Sequence, residues 1–178
     1  MAFRVGIFGG SFNPIHKGHI QIAKQICKSE LVDELWLMVS PHNPLKERSE
    51  LMPDEERLDL AQKAVKDISK VKVPDFEMRL PKPSYMYNTL LSLRESYPEY
   101  QFVLIIGSDN WLCFNKWYKY EEIINQFNII IYPRKGSEIE IATLPPNVTL
   151  LQMPLYDISS TMIRQKLQSG EDVSNLLP

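Results

Sequence analysis

The chain has 178 residues, of which 44% are hydrophobic, and it carries a formal net charge of -2 with a pI near 5.9. This length and apolar content predict one globular domain over residues 1–178, and the weak charge argues against nucleic-acid binding. Two cysteines, no signal-peptide pattern and no bilayer-length apolar run predict a cytoplasmic protein without disulfides or a membrane partner.

The first predicted unit is the stretch VGIFGGSFNPIHKGHI from Val5 to Ile20. An apolar run over residues 3–8 predicts a buried parallel strand, and Gly9-Gly10 predict a tight turn after it. Asn13-Pro14 then supply cap and first-turn residues for a helix. Backbone N–H groups in a turn and the positive end of a helix both favour anions, so this unit predicts a phosphate site.

Two histidines follow the turn at a spacing of three. His16 and His19 are predicted to share one face of the first helical turn and to donate hydrogen bonds to one anion, while Gly18 lets the ligand approach the backbone. Neither the dinucleotide fingerprint nor the P-loop occurs in the sequence. A zinc site on the two histidines lacks a third ligand of suitable spacing, because the only other histidine is His42.

The run GGSFNPIHKGH over residues 9–19 resembles the G-G-[ST]-F-[DN]-P-x-H-x-G-H signature of the nucleotidyltransferase superfamily, and specifically of bacterial nicotinate mononucleotide adenylyltransferases. The resemblance implies transfer of AMP from ATP to nicotinate mononucleotide, with Mg²⁺ bridging the phosphates. It implies that His16 and His19 hold the α- and β-phosphates. The further residues that it assigns to ATP in this stretch are Gly9, Gly10, Ser11, Phe12 and Gly18.

Helices and strands then alternate in the predicted order of a right-handed parallel unit, with a helix over residues 17–28, a strand over 34–39 and a helix after Pro53. Leu58, Leu60 and Ala61 are predicted on the buried side of that last helix. Short extended pieces follow over residues 71–80. The resemblance places Lys46, in the loop after the second strand, at the substrate; a solvated loop is the alternative.

The segment PSYMYNTL over residues 83–90 leads into a helix predicted over residues 87–97. It resembles the family motif P-S-Y-T-x-x-T-L, which offers backbone N–H groups to the nicotinate carboxylate. This implies that Tyr85 and Met86 bind the substrate, with Met86 standing where threonine is common. The alternative is that Ser84 caps the helix and Tyr85 belongs to the core.

Residues 101–106 form the clearest buried strand of the sequence, and it ends in Gly107-Ser108-Asp109. A carboxylate at this edge of a parallel sheet suits a ribose hydroxyl or a hydrated metal, although Asp109 can also cap the next helix. The block over residues 105–121 resembles the family pattern I-I-G-x-D … W-[YK]-x-[YW]-E. This implies that Gly107 and Asp109 bind ATP and that Trp117-Tyr118 meet the pyridine ring; a core role for this aromatic pair is the alternative.

A strand is predicted over residues 128–132, with Arg134 and Lys135 as solvated turn residues, and a last strand over residues 148–152. The closing block DISSTMIRQKL over residues 157–167 then predicts a capped helix with Ile163 and Leu167 on its apolar face and Gly170 beyond its end. It resembles the superfamily motif I-S-[ST]-T-x-[IV]-R. This implies that Ile158, Ser159 and Ser160 bind ATP and that Arg164 holds the leaving pyrophosphate; a capped helix with a surface arginine is the alternative.

These elements predict a single Rossmann-like α/β domain with a mostly parallel sheet, helices on both faces and a site at the carboxyl ends of the central strands. The resemblance implies an enzyme of NAD biosynthesis whose partners are ATP and nicotinate mononucleotide, with Mg²⁺ and no metal ligand from the protein. Three alternatives remain: a different acceptor such as nicotinamide mononucleotide or phosphopantetheine, cytidylyl transfer, or a non-catalytic nucleotide-binding regulatory module. Both a monomer and a homo-oligomer are compatible with the sequence.

Overall fold

A sheet of six parallel strands forms the centre of the computed structural model, which describes residues 2–42 and 51–178. The strands are β1 (Phe3–Gly10), β2 (Glu34–Val39), β3 (Val71–Lys72), β4 (Tyr100–Gly107), β5 (Asn128–Tyr132) and β6 (Val148–Leu150). Their order across the sheet is β3-β2-β1-β4-β5-β6. Strands β2 and β3 lie on one side of β1 and strands β4 to β6 on the other, so the strand order reverses between β1 and β4. The predicted Rossmann-like α/β fold is confirmed, and every described pair of neighbouring strands is parallel.

Helices cover both faces of the sheet, as predicted. They are α1 (Lys17–Lys28), α2 (Asp54–Val65), α3 (Met86–Ser96), α4 (Ser108–Leu112), α5 (Tyr120–Gln126) and α6 (Ser160–Gln168). On one face the strands pack with Ile26 of α1 and Ala61 of α2, and on the other with Leu90 of α3 and Ile123 of α5. Because side chains alternate along a strand, β1 supplies Phe8 to the first layer and Ile7 to the second.

Several boundaries differ from the sequence prediction. Strand β1 continues through Gly9 and Gly10, which pair with the end of β2 instead of forming a turn. Residues 76–79 form a 3₁₀ turn and not an extended piece, and α5 was not predicted. Short apolar segments have no clear period, so their packing decides between strand, turn and helix.

The buried sides of two helices also differ from the prediction. Leu60 is 37% exposed and Leu167 is 53% exposed, whereas Arg57 is fully buried on the inner side of α2 with Ala61 and Val65. A spacing of four residues places Arg57, Ala61 and Val65 on one face of the helix. No helix within residues 2–42 and 51–178 is long and apolar enough to cross a membrane.

Buried Arg57 ties together three segments at the carboxyl edge of the sheet. Its guanidinium donates hydrogen bonds to the carbonyl oxygens of Met52, Ser11 and Ser40, and it forms an ion pair with Asp54. Ser11 follows β1 and Ser40 follows β2, so a single side chain from α2 satisfies backbone oxygens at the ends of both strands. Buried carbonyl groups need such partners because water cannot reach them.

Replacing Arg57 with methionine should lower the free energy of unfolding by about 3 kcal/mol, because three carbonyl groups and a carboxylate lose a buried donor. Urea denaturation measures the change. Lys63→Met is the matched control on the same helix, since Lys63 pairs with Asp59 at the exposed surface and should cost less than about 1 kcal/mol. Equal losses for both variants would contradict the role given to Arg57.

Candidate active site

The candidate site lies at the carboxyl ends of β1 and β4, where the strand order reverses. In open parallel sheets the segments that leave two neighbouring strands in opposite directions open a crevice at this point. The turn after β1, the start of α1, the segment after β4 and the start of α6 all come from the stretches that the sequence singled out. The fold therefore brings the first and last motifs together although they are more than 130 residues apart, as Ser160 and Pro14 show.

The turn after β1 lies at Asn13 and Pro14, beyond the two glycines, which belong to the strand. Phe12 has a φ of 47°, and its buried ring packs edge-on against Phe8 and His19. Gly9 is needed for a different reason: a Cβ atom there would lie 2.7 Å from Cε of Met86. The predicted glycine turn is therefore wrong, because close approach of α3 and not a positive φ requires glycine at residue 9.

His16 and His19 form a reciprocal capping box at the start of α1. His16 is the N-cap, and its Nδ1 accepts the backbone N–H of His19 at 3.4 Å, while Nδ1 of His19 accepts the backbone N–H of His16 at 3.1 Å. The rings stack with their centroids 3.7 Å apart. The prediction that Asn13-Pro14 cap this helix is wrong. Because each Nδ1 accepts a hydrogen bond, the ring proton is assigned to Nε2.

Both imidazoles favour the neutral form. Burial, followed by the charge of Arg134, lowers the pKa of His16 to about 4. Burial, the neighbouring His16 and Arg134 also lower the pKa of His19 well below its ordinary value. Near neutral pH the pair therefore presents two Nε2–H donors without positive charge, and the cationic charge of the site comes from arginine side chains.

Gly18 makes room for close packing at the start of α1, and its predicted role in ligand approach stays a prediction. A Cβ atom at Gly18 would lie 2.8 Å from Cε1 of His16 and 3.4 Å from Cβ of Ile158. Ile158 immediately precedes Ser159, whose hydroxyl caps α6 by accepting the N–H of Met162 at 3.1 Å. The absence of a side chain at residue 18 thus lets the His16 ring and Ile158 of the last motif both approach the start of α1 closely.

Two hydrogen bonds dock α6 on the turn after β1. Ser160 Oγ donates to the carbonyl oxygen of Pro14 at 2.9 Å, and Arg164 Nη1 donates to the carbonyl oxygen of Asn13 at 2.8 Å. Arg164 Nη2 also donates to Oγ1 of Thr161 at 3.2 Å. Arg164 is therefore half-buried and held beside residues 11–19, the segment with His16 and His19 that we call the histidine turn.

The segment after β4 lies on the other side of the reversal. Gly107 ends β4 and is the N-cap of α4, so Asp109 lies inside the first turn of α4 and does not cap it. The Asp109 side chain is exposed. Neighbouring Ser108 is buried, and its hydroxyl accepts the backbone N–H of Arg134 at 2.8 Å.

Arg134 was missed by the sequence interpretation, which treated it as a solvated turn residue. Its charge acts on both histidines and on Tyr132, and its Cγ lies 3.1 Å from the Cβ position of Gly107. Burial raises the pKa of Tyr132 to about 12 despite this cation. A signal was available, because Arg134 is the second residue after the buried parallel strand β5 and so lies at the ligand-binding edge of the sheet.

The predicted acceptor residues gather around the start of α3. Tyr85 and Tyr118 are exposed, with ring centroids 4.7 Å apart, and Met86 covers Gly9. Trp117 is half-buried against Phe114, 4.9 Å between centroids, so it belongs partly to the core. Ser84 does not cap α3 and Tyr85 is not buried, which excludes the alternative for this segment. Lys46 lies outside the described residues.

A groove of about 560 Å³ runs from these aromatic side chains along α3. Tyr85, Thr89 and Tyr118 contribute to its lining, as do residues 80–84 of the preceding segment. The Thr89 hydroxyl is fully buried and has no hydrogen-bond partner among the described residues. Met86, which follows the groove residue Tyr85, packs on Gly9 at the end of β1.

Comparison with known proteins identifies relatives along almost the full chain. The family model described as cytidylyltransferase-like matches residues 7–166. Proteins named “probable nicotinate-nucleotide adenylyltransferase” from Bacteroides thetaiotaomicron and Bacteroides fragilis are 49% and 48% identical, covering 98% of this chain and 86% and 87% of theirs. The Plasmodium falciparum nicotinic acid mononucleotide adenylyltransferase complexed with NaAD matches 97% of this chain and 87% of its own at 23% identity and a TM-score of 0.82, which shows a common fold.

The lowered pKa of His16 predicts a specific pH dependence of stability. The His16 imidazole binds a proton near pH 6.5 in the unfolded chain but only near pH 4 in the folded chain. The free energy of unfolding should therefore fall as pH falls through this window. The slope should be up to about 1.4 kcal/mol per pH unit for this one group. Urea denaturation between pH 6.5 and 4.5 measures it.

His16→Asn is the matched variant for this measurement, because asparagine retains a capping oxygen and does not titrate. In this variant the free energy of unfolding should change less steeply with pH over the same window, by up to about 1.4 kcal/mol per pH unit, because one fewer proton binds on unfolding. An identical slope in the variant and the parent chain would show that His16 titrates normally.

Proposed function

We infer that the chain, which belongs to the nicotinate-nucleotide adenylyltransferases within the cytidylyltransferase-like family, transfers the AMP moiety of ATP to nicotinate mononucleotide. The products are deamido-NAD and pyrophosphate, which is a step of NAD biosynthesis. The observation that carries this function is the convergence of the histidine turn and α6 beside a separate aromatic groove. Two substrates need two subsites, and a reversal of strand order such as that between β1 and β4 is where open parallel sheets bind ligands, which supports the proposal.

The reaction needs positioning and charge stabilisation more than proton transfer. A phosphate oxygen of the acceptor attacks the α-phosphorus in line, the new P–O bond forms, and the bond to the β-phosphate breaks with its electrons leaving on pyrophosphate. The attacking oxygen is already ionised, so no general base is required. Histidines whose pKa values lie far below neutrality suit this chemistry, because they remain neutral donors throughout.

We propose that His16 and His19 donate Nε2–H hydrogen bonds to the α- and β-phosphates. Arg164, held by the carbonyl oxygen of Asn13, balances the charge that develops on the leaving pyrophosphate, and Arg134 adds a second cation near the same histidines. Donors fixed before the reaction stabilise developing charge without reorganisation. The backbone of residues 9–12 and 158–160, with Gly107 and Asp109, completes the proposed ATP site, while Gly18 supports it by packing.

Magnesium enters this scheme as part of the ATP substrate. Within residues 2–42 and 51–178 no group of three or more histidine, cysteine, aspartate or glutamate side chains can hold a metal ion. A cation carried mainly by phosphate oxygens and water fits such a site, since Mg²⁺ keeps several waters and needs few protein ligands. Asp109, exposed at the end of β4, is the predicted carboxylate of this segment that could meet the hydrated ion or the ribose.

We propose that the pyridine nucleotide binds at the start of α3. The exposed faces of Tyr85 and Tyr118 and the half-buried Trp117 offer planar surfaces to the pyridine ring. No side chain caps α3 among the described residues, so its first N–H groups can donate hydrogen bonds to a carboxylate. Met86 occupies the position at which the family motif has threonine, and its side chain separates this surface from β1.

The two cysteines, Cys27 and Cys113, are free thiols. Free thiols agree with a reducing compartment, and we propose that the protein works in the cytoplasm. The competing functions are adenylyl transfer to a different phosphorylated acceptor and regulation by nucleotide binding without catalysis. One assay distinguishes both of them from transfer to nicotinate mononucleotide.

That assay is pyrophosphate release by the purified chain with ATP and Mg²⁺ and one acceptor at a time. Nicotinate mononucleotide should give the highest kcat/KM, ahead of nicotinamide mononucleotide and phosphopantetheine. A preference for either other acceptor would contradict the proposed substrate. If the chain binds ATP but releases no pyrophosphate with any of the acceptors, the regulatory module would be favoured.

His19→Asn should lower kcat by about 10²–10³ because the variant loses a fixed donor to phosphate, as measured by pyrophosphate release at saturating substrates. Lys17→Ala is the control, since Lys17 is the exposed neighbour of the same turn and should retain kcat within about twofold. Circular dichroism verifies that both variants fold. Full activity of His19→Asn would remove His19 from the proposed mechanism.

A further inference from the structure

A lysine side chain lies on the aromatic residues of the proposed acceptor site. Lys119 directly follows Trp117-Tyr118 in the chain, and it is exposed at the N-cap of α5. Its Nζ lies 5.2 Å from the centroid of the Tyr87 ring and 5.6 Å from that of the Tyr118 ring. The two rings meet edge-on, with their centroids 6.3 Å apart. Cation–π attraction to both rings therefore gives the ammonium group a defined place at this surface.

The charge of Lys119 is not cancelled by a carboxylate in the part of the chain that the structure describes. Lys119 belongs to none of the ion pairs found there. The two acids that follow it in α5 have other partners. Glu121 accepts the hydroxyl of Tyr120 at 3.1 Å, and Glu122 accepts the side-chain amide of Gln126 at 3.1 Å.

The charged residues that line the groove itself do not replace this cation. Lys82 forms an ion pair with Asp54, with 3.6 Å between Nζ and Oδ2. Glu95 lies in α3 nine residues beyond Met86, which corresponds to about 13 Å along the helix axis. Among the described residues, the cation without an acidic partner at the aromatic end of the groove is therefore Lys119.

We propose that Lys119 is a specificity-determining residue that favours the acid form of the acceptor over the amide form. The inference rests on the proposed function, because that function places the pyridine ring at Tyr85, Trp117 and Tyr118. Nicotinate mononucleotide carries a carboxylate where nicotinamide mononucleotide carries a neutral carboxamide. The first N–H groups of α3 can donate to an oxygen of either group, whereas a neighbouring cation discriminates between them by charge.

The position supplies matched variants. Lys119→Met removes the charge and keeps a flexible stem on the tyrosines, and Lys119→Arg keeps the charge. Lys119 has a φ of 53°, and lysine, methionine and arginine all carry the cost of a side chain in this left-handed region, so the comparison isolates the charge. Lys116→Met is the control, since Lys116 is an exposed lysine of the same segment and forms no cation–π contact within the described residues.

The experiment compares the two acceptors. Pyrophosphate release gives kcat/KM for each, and calorimetry gives each Kd without turnover. Lys119→Met should lower kcat/KM for nicotinate mononucleotide about five- to tenfold and raise its Kd by a similar factor, because it loses one partly exposed charge contact. The values for nicotinamide mononucleotide and the KM of ATP should change by less than about twofold. Lys119→Arg and Lys116→Met should retain the acid preference of the parent chain to within about twofold.

Ionic strength provides a second test that needs no variant to fold. Salt screens an exposed cation, so raising the ionic strength from about 0.05 to 0.5 M should reduce the ratio of the two acceptor Kd values in the parent chain. In Lys119→Met the same change should leave the ratio nearly constant. Screening that acts on the phosphate of the acceptors cancels in the ratio, because both acceptors carry it.

Three results would overturn the role of Lys119 and leave the proposed function intact. They are unchanged binding of nicotinate mononucleotide in Lys119→Met, equal losses for both acceptors, and a Kd ratio in the parent chain that does not respond to salt. Equal losses would show that Lys119 only packs against the tyrosines. A parent chain that converts neither acceptor would instead overturn the proposed function, and the inference with it.

Discussion

The buried turn after β1 is the constraint on which the rest of the site depends. Its irregular backbone lies at the sheet edge, so its carbonyl oxygens cannot all find partners within a regular ladder. Distant side chains supply them: Arg57 bonds to Ser11, Arg164 to Asn13, and Ser160 to Pro14. Satisfying this turn therefore forces α2 and α6 to meet beside it, which assembles the candidate ATP site as a consequence of folding.

The same packing determines the electrostatics of the histidine pair. The capping box uses both Nδ1 atoms, and burial keeps both rings neutral. The site thus combines uncharged donors with cationic arginines, and Arg134 reinforces the neutrality of the histidines. This division suits a reaction whose nucleophile is already charged, because the protein has to stabilise phosphate charge without removing a proton.

The reversal between β1 and β4 explains how two substrates can meet. The segments before and after β4 in the chain carry Tyr85 and Tyr118, and the segment after β1 carries the histidine turn. The two sides contact each other where Met86 of α3 packs on Gly9 of β1.

Local patterns determined the helices and strands with strong periodicity, among them α1, β2 and β5, the parallel fold and the two motifs that carry the family resemblance. They also indicated His16, His19 and Arg164, because motif spacing is a property of the chain itself. Tertiary structure alone decided that Arg57 is buried, that Arg134 faces the histidines, and that Gly9 and Gly18 make room for Met86 and His16. These features depend on contacts between residues far apart in sequence, and neither periodicity nor residue type specifies which distant groups a fold brings together.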